Sequence, residues 1–265
     1  MKRLNAEEIK QTLYEMMCCF ADYCDRHGLK YYMYYGTLLG AVRHQGFIPW
    51  DDDVDFIMPR EDYLKLQELY RKDPFPEPYG LISYEMGNTV YPFAKVVNHA
   101  TEFRGKTTVG DTELWIDLFP LDPVPEDREV NRKLFVKCGR LLMWHAASIA
   151  IPFTGSTPLR ALIRGPIVLY ARMRGYKHYN KLIMNEVEQV KDLNSVMMGN
   201  ITWPSTYDVP LHKDDLAEYE DLVFEGRKFH AMKNYKKYLA EYYGDYMTPP
   251  PESKRTGHVA EIYLK

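Results

Sequence analysis

The amino-acid sequence predicts an α+β protein, and three observations point there. Ile9, Leu13, Met16, Phe20 and Tyr23 recur at intervals of three and four, the period of a helix with one buried face. Short runs rich in β-branched and aromatic residues, such as Val54-Asp55-Phe56-Ile57-Met58 and Phe93-Ala94-Lys95-Val96-Val97, are bounded by proline and glycine as strands are. A long stretch, 127–195, reads mainly as helix and is rich in lysine and arginine. With 265 residues, 46% of them hydrophobic and 27% charged, the chain can bury a sizeable core as one domain. No linker divides it, so the expectation is a single domain over 1–265, with 127–195 as a helical basic subdomain and 243–265 as a C-terminal loop or tail.

Taken in order, Asn5 caps a helix that runs to His27, with Glu8 three residues on completing a capping box and Gly28 stopping it. Tyr31 to Tyr35 reads as the first strand and ends at Gly36-Thr37, a tight turn in which glycine would supply positive φ. Leu38 to His44 follows as a short helix. The strand through Asp55 stops at Pro59, and Arg60 to Arg71 is helical until Pro74, Pro76 and Pro78 break the pattern. Leu81–Glu85, Phe93–Asn98 and Leu114–Phe119 are strands, while Asp122 before Pro123 suits a turn. Asp127 to His145 and Asn180 to Leu193 are helices. Between them the apolar stretch Ala146 to Leu169 is interrupted by Pro152, Gly155, Pro158, Gly165 and Pro166. Leu222 to Gly226 is a strand turning into Arg227–Ala231, and the last helix is Asn234 to Tyr243.

Charge and cysteine content narrow the class. From Arg132 to Lys181 there are ten basic residues and no acidic one, within a chain whose net charge is −3. Such asymmetry suggests an anionic partner. The stretch is too broken to supply the roughly 18 to 20 apolar residues that span a bilayer. Its cations and apolar residues suit either the surface of an anionic membrane or a helical subdomain packed on the sheet with its charges in water. Nucleic acid is not expected as a partner. The N-terminus lacks the apolar core of a signal peptide, and Cys18, Cys19, Cys24 and Cys138 have no metal-binding spacing, so buried reduced thiols and a cytoplasmic location are expected, peripheral at the inner membrane face if the basic segment docks.

The chemistry concentrates between Tyr34 and Phe56. A helix starting at Thr37 or Leu38 would turn free backbone N–H groups toward an anion such as phosphate, with the Thr37 hydroxyl beside them. In Asp53-Val54-Asp55-Phe56 the alternation of a strand puts Asp53 and Asp55 on one face, with Asp51 in the same parity. Adjacent carboxylates repel unless a cation lies between them, and hard oxygen ligands at this spacing suit Mg²⁺ or Mn²⁺ on a substrate diphosphate. Asp117, alone between Ile116 and Leu118, is a third carboxylate that needs a cation or hydrogen bonds if buried. Lys95 is either a strand-edge lysine in water or a ligand of donor phosphate; Arg43 is either a phosphate ligand or an exposed helix residue.

The segment from Gly36-Thr37 through Asp53-Val54-Asp55, with Ile116-Asp117-Leu118, resembles the signature of the LicD family, and Tyr243-Gly244-Asp245-Tyr246-Met247 with the following Pro-Pro, Lys-Arg and His resembles that family's closing motif. The resemblance implies a nucleotidyltransferase-like mixed sheet flanked by helices, into which the basic helical segment would be inserted. It implies a transferase that moves a substituted phosphate, phosphocholine foremost, from a CDP-linked donor to a hydroxyl of a cell-surface glycan or its lipid-linked precursor, releasing CMP. Asp53, Asp55 and Asp117 would hold the metal, with Asp51 or Asp117 as a general base. Gly36, Thr37, Leu38, Arg43, Lys95, Lys254, Arg255 and His258 would contact the donor phosphates or nucleotide, the last three from a loop folded over the site. Trp50 and Trp115 could face a choline ammonium. The alternatives are a nucleotidyltransferase releasing pyrophosphate and a non-catalytic glycan- or nucleotide-binding protein of the same fold.

Overall fold

A computed structural model describes the whole chain except residues 105–108, 155–156, 206–208 and 256–260, and the side chains of residues 158 and 254. The first strand, β1 (Lys2–Arg3), leads into α1 (Ala6–His27). Asn5 and Glu8 exchange side-chain and backbone bonds of 2.9 Å at its start, and Gly28 ends it at φ 62°, so both helix signals in the sequence act as expected. β2 is only Tyr32–Met33, because α2 (Tyr35–His44) starts earlier than the glycine turn suggests. β3 (Asp55–Pro59) follows, then α3 (Arg60–Tyr70), β4 (Tyr79–Ile82), β5 (Ala94–Asn98), β6 (Thr101–Phe103) and the long β7 (Leu114–Pro123).

The main sheet has the order β2-β3-β7-β5-β4. β3 and β7 run parallel while the other pairs along it are antiparallel, which makes the sheet mixed. The register sets Asp55 beside Asp117, and Asp117 beside Lys95 on the other flank. α1 lies against β5 and β7 and α3 against β3 and β7, and the core between them includes Phe20, Tyr31 and Phe56, whose rings meet edge-on or tilted at 5.0–5.6 Å. The fold is α+β, as the sequence predicts.

β7 extends further than expected, and Asp122 is not a turn residue. It lies 1% exposed at the strand's end and takes the Arg60 guanidinium in two bonds of 2.8 and 2.6 Å. The basic segment forms three helices, α4 (Arg128–Ile149), α5 (Pro158–Arg174) and α6 (Tyr176–Val190). Pro158 enters α5 at its first position, where a missing N–H costs nothing, and Pro166 is accommodated within it. β8 (Met197–Gly199) pairs with the end of β7 and with β9 (Leu211–His212). β10 (Tyr219–Phe224) and β11 (Arg227–Met232) form a hairpin whose two-residue turn, Glu225-Gly226, has positive φ at both positions. Its tip docks on the loop after α2 through the Glu225 N–H to Gln45 carbonyl bond of 2.8 Å. α7 (Tyr235–Tyr243) ends at Gly244. The C-terminal stretch is more than a loop, since β12 (Ile262–Leu264) pairs between β1 and β6. Cys24 and Cys138 are buried and Cys18 and Cys19 only half-buried, all four as free thiols.

Candidate functional site

The site lies where β3, β7 and β5 present one face to the start of α2. Asp55 is 8% exposed and Lys95 2%, so the central carboxylate and the ammonium are both taken out of water. Lys95 is therefore no edge lysine: β5 is flanked by β4 and β7, and its Nζ lies 3.5 Å from Asp117 Oδ1. Aromatic faces complete its surroundings, with the Tyr91 ring centroid 3.7 Å and that of Trp115 4.1 Å from Nζ. Burial lowers the Lys95 pKa, and the Asp117 carboxylate holds it up.

Asp55 is pushed well above the usual carboxylate range, first by burial and then by the charges of Asp53, Asp117 and Asp51, against the pull of Lys95. Burial also raises Asp117, against Lys95. Asp117 Oδ1, although within ion-pair range of Lys95, is a buried oxygen that receives no hydrogen bond. Acids facing one another with a buried oxygen short of donors fit a divalent cation. Among the described residues, no three metal-binding side chains are placed to enclose one already. The carboxylates share a face without forming a closed cage.

Asp51 and Asp53 precede β3, so strand alternation does not align them; the approach of α2 does. A Cβ on Gly36 would stand 2.6 Å from Asp51 Oδ2 and 3.9 Å from Asp53 Oδ1. The glycine is needed for space, and the positive φ expected of it belongs instead to Tyr35, at 39°. Because α2 starts at Tyr35, the first-turn N–H groups are those of Tyr35, Gly36 and Thr37. Leu38 is not a phosphate ligand of the expected kind: its side chain is buried and its N–H bonds the Tyr34 carbonyl at 3.1 Å. Thr37 is buried as well, and its hydroxyl accepts the Asp55 N–H at 2.9 Å, tying α2 to the carboxylate strand.

The other expected ligands are distributed differently. Arg43 donates to the Tyr246 carbonyl at 2.9 Å, which anchors the segment after α7 beside α2. Arg255 lies with its guanidinium 4.5 Å from the Trp50 ring centre, and that of Arg43 is 5.9 Å away. Trp50 and Trp115 thus already engage the protein's own cations, which argues against either as an open choline surface. Lys254 belongs to a short 3₁₀ turn, and its side chain lies outside the described residues, as does His258. Tyr243 is a residue that sequence reading missed. The residue is 37% exposed overall, yet its phenol pKa is raised by burial, then by Tyr242 and by Asp55, Asp51 and Asp53, so it lies within electrostatic range of the acids. Nothing in the pattern of α7 signals this, since the approach is made by tertiary packing. Tyr91, four residues before Lys95, was equally silent.

Residues 28–145 match the family described as LicD/FKTN/FKRP, nucleotidyltransferase domain. The matched stretch is a little under half of the chain. It spans β2 through most of α4 and so contains every acid and the lysine just described. The lipopolysaccharide cholinephosphotransferase LicD of Haemophilus influenzae is 27% identical over an alignment of 274 residues that covers 100% of both chains. An uncharacterised protein of Rickettsia prowazekii is 40% identical over 74 residues, 28% of this chain and 27% of its own. One of Rickettsia typhi is 42% identical over 69 residues, 26% of this chain and 22% of its own. The family match ends within α4, before α5 and α6, and the full-length likeness extends over both.

Proposed function

We propose that the chain is a metal-dependent transferase that moves phosphocholine from a CDP-linked donor to a hydroxyl of a cell-surface glycan or its lipid-linked precursor, releasing CMP. The observation that carries the reading is the register of Asp55, Asp117 and Lys95 across three neighbouring strands, inside the domain that matches the LicD family. The full-length likeness to a lipopolysaccharide cholinephosphotransferase supports phosphocholine as the transferred group.

In this reaction an acceptor hydroxyl oxygen attacks the phosphorus that carries choline. The bond from that phosphorus to the bridging oxygen of the diphosphate breaks, CMP leaves with the electron pair, and the hydroxyl proton passes to a base. Asp53, Asp55 and Asp117 would hold Mg²⁺ or Mn²⁺, whose contribution is to neutralise charge on the phosphate oxygens. Lys95 orients Asp117 from the opposite strand and keeps a positive charge beside the site. The first turn of α2 lies beside the same acids at Gly36, and its N–H groups would favour the donor's anionic phosphates. Asp51, half-buried above Gly36, is better exposed than Asp55 to receive a proton from an incoming hydroxyl. Burial of Asp55 and Lys95 lowers the local dielectric and strengthens each of these interactions.

The test is direct. The protein with Mg²⁺, CDP-choline and a lipopolysaccharide or lipid-linked glycan should release CMP and label the glycan, and EDTA should stop both. Pyrophosphate from CTP, with no CMP from CDP-choline, would replace this reading with nucleotidyl transfer. Release of neither would leave a binding protein.

A further inference from the structure

α5 is built the wrong way round for a helix packed in water. It turns Gly165, Val168 and Ala171 inward, against α4 and α6, and Gly165 leaves just enough room for the Phe153 ring, 2.3 Å from where a Cβ would stand. Its larger apolar residues point out: Leu159, Leu162, Ile163, Ile167, Tyr170 and Met173 are 48–86% exposed. They recur at intervals of three and four, so they form one continuous stripe along the helix. A soluble monomer rarely leaves such a stripe uncovered. Arg160 and Arg164, one turn apart, are exposed along its flank.

The neighbouring face of α4 supplies a second feature. Arg132, Lys133, Lys137 and Arg140, with Val136, Leu141 and Trp144, line an open groove of about 480 Å³ along α4. Glu129 pairs with Arg132 and Lys133, and Glu186 with Lys137, so the four cations exceed the acids facing them. Trp144 meets Tyr170 of the α5 stripe edge-on, their centroids 5.9 Å apart. A basic groove, an aromatic pair at its mouth and an apolar stripe beyond it reproduce the layering of an anionic bilayer surface: headgroup phosphates, interface, acyl chains. Among the described residues no helix is long and apolar enough to cross a membrane, so the contact would lie in the surface plane.

We propose that this protein docks on anionic lipid membranes through the outward stripe of α5, with the basic groove of α4 holding lipid phosphates. Charge decides between occupants. A second copy of the chain would bring one cationic flank against another, whereas an anionic lipid surface neutralises both. The surface also stands close to the site, since His145, next to Trp144, packs against Tyr91, whose ring lies over Lys95. The inference does not depend on the chemistry proposed above.

The test is flotation of the full chain with vesicles of phosphatidylglycerol and phosphatidylcholine, compared with phosphatidylcholine alone. Binding to the anionic vesicles should be tighter by about tenfold or more and weaken with salt. Ile163→Glu should abolish it, and the surface variant Arg140→Gln/Arg164→Gln should weaken it about 25-fold, from about fivefold per cation. Brominated acyl chains should quench tryptophan emission in the wild type, and Trp144→Phe should remove that quenching. Circular dichroism would confirm that the variants fold, and the arginine pair keeps the test valid should Ile163→Glu fail to. Equal binding to both vesicle types, no binding at about 1 mM lipid, or Ile163→Glu turning a dimer into a monomer with vesicle binding intact would overturn the proposal.

Discussion

Replacing Asp55 by asparagine removes a charge while keeping the shape of the side chain and the backbone bonds that seat it, the Asp55 N–H to Thr37 and the Tyr34 N–H to the Asp55 carbonyl. Asp55 and Asp117 are direct neighbours on parallel strands, about 4.8 Å apart in backbone spacing. At a pH above the raised Asp55 value, where both are ionised, two carboxylates at that separation repel by about 3 kcal/mol at an effective dielectric of about 20. Lys95, 3.5 Å from Asp117, offsets part of this, leaving about 1–3 kcal/mol that the metal-free fold carries as repulsion. Asp55→Asn should therefore melt higher than the wild type in EDTA, by about 2–10 °C for a chain of this size. Saturating Mg²⁺ closes or reverses the gap: at a hundredfold excess over Kd it stabilises the wild type by about 2.7 kcal/mol and should leave the variant unmoved. CMP release from CDP-choline should fall about a thousandfold in the variant. Differential scanning fluorimetry with EDTA and then Mg²⁺, beside the turnover assay, reads all three. A variant that melts below the wild type in EDTA, or a wild type whose melting ignores Mg²⁺, refutes the argument that these acids await a cation.

Gly36→Ala puts a methyl group where Asp51 Oδ2 now stands, 2.6 Å from the new Cβ; the carboxylate swings aside, so turnover should drop about a hundredfold while stability stays within about 0.5 kcal/mol, read by kinetics beside denaturant titration. Arg60→Met leaves the Asp122 carboxylate buried without its guanidinium and should cost about 3–5 kcal/mol of stability in urea. His145, fully buried and bonded at Nε2 to the Val90 carbonyl, has its pKa lowered by burial, so its contribution is present above the unfolded value of about 6.5 and lost as pH falls toward the folded one. His145→Gln should flatten that loss between pH 6.5 and 5 in a thermal-melt series. Asp55 has the opposite sign: its raised pKa gives a contribution present below the ordinary carboxylate value and lost as pH rises through the folded one, so Asp55→Asn should flatten the melt series over that higher window.

What the sequence determined by itself is local. Capping residues and helical spacing placed α1, and the alternation around Asp55 and Asp117 marked two strands with acids on them, because helix ends and strand faces are set by residues within a few positions of one another. The tertiary structure decided the rest. Parallel pairing of β3 with β7 made Asp55 and Asp117 neighbours, and antiparallel β5 turned Lys95 from a candidate edge residue into a buried partner of Asp117. Gly36 was legible as a special position, but the reason for it, the oxygen of Asp51, is a contact made across a loop. Tyr91 and Tyr243 reach the site by packing alone, and the outward stripe of α5 is visible only once Gly165, Val168 and Ala171 are known to be the buried side. A periodic pattern says that a helix has two faces; which of them meets protein is fixed by the elements that pack against it.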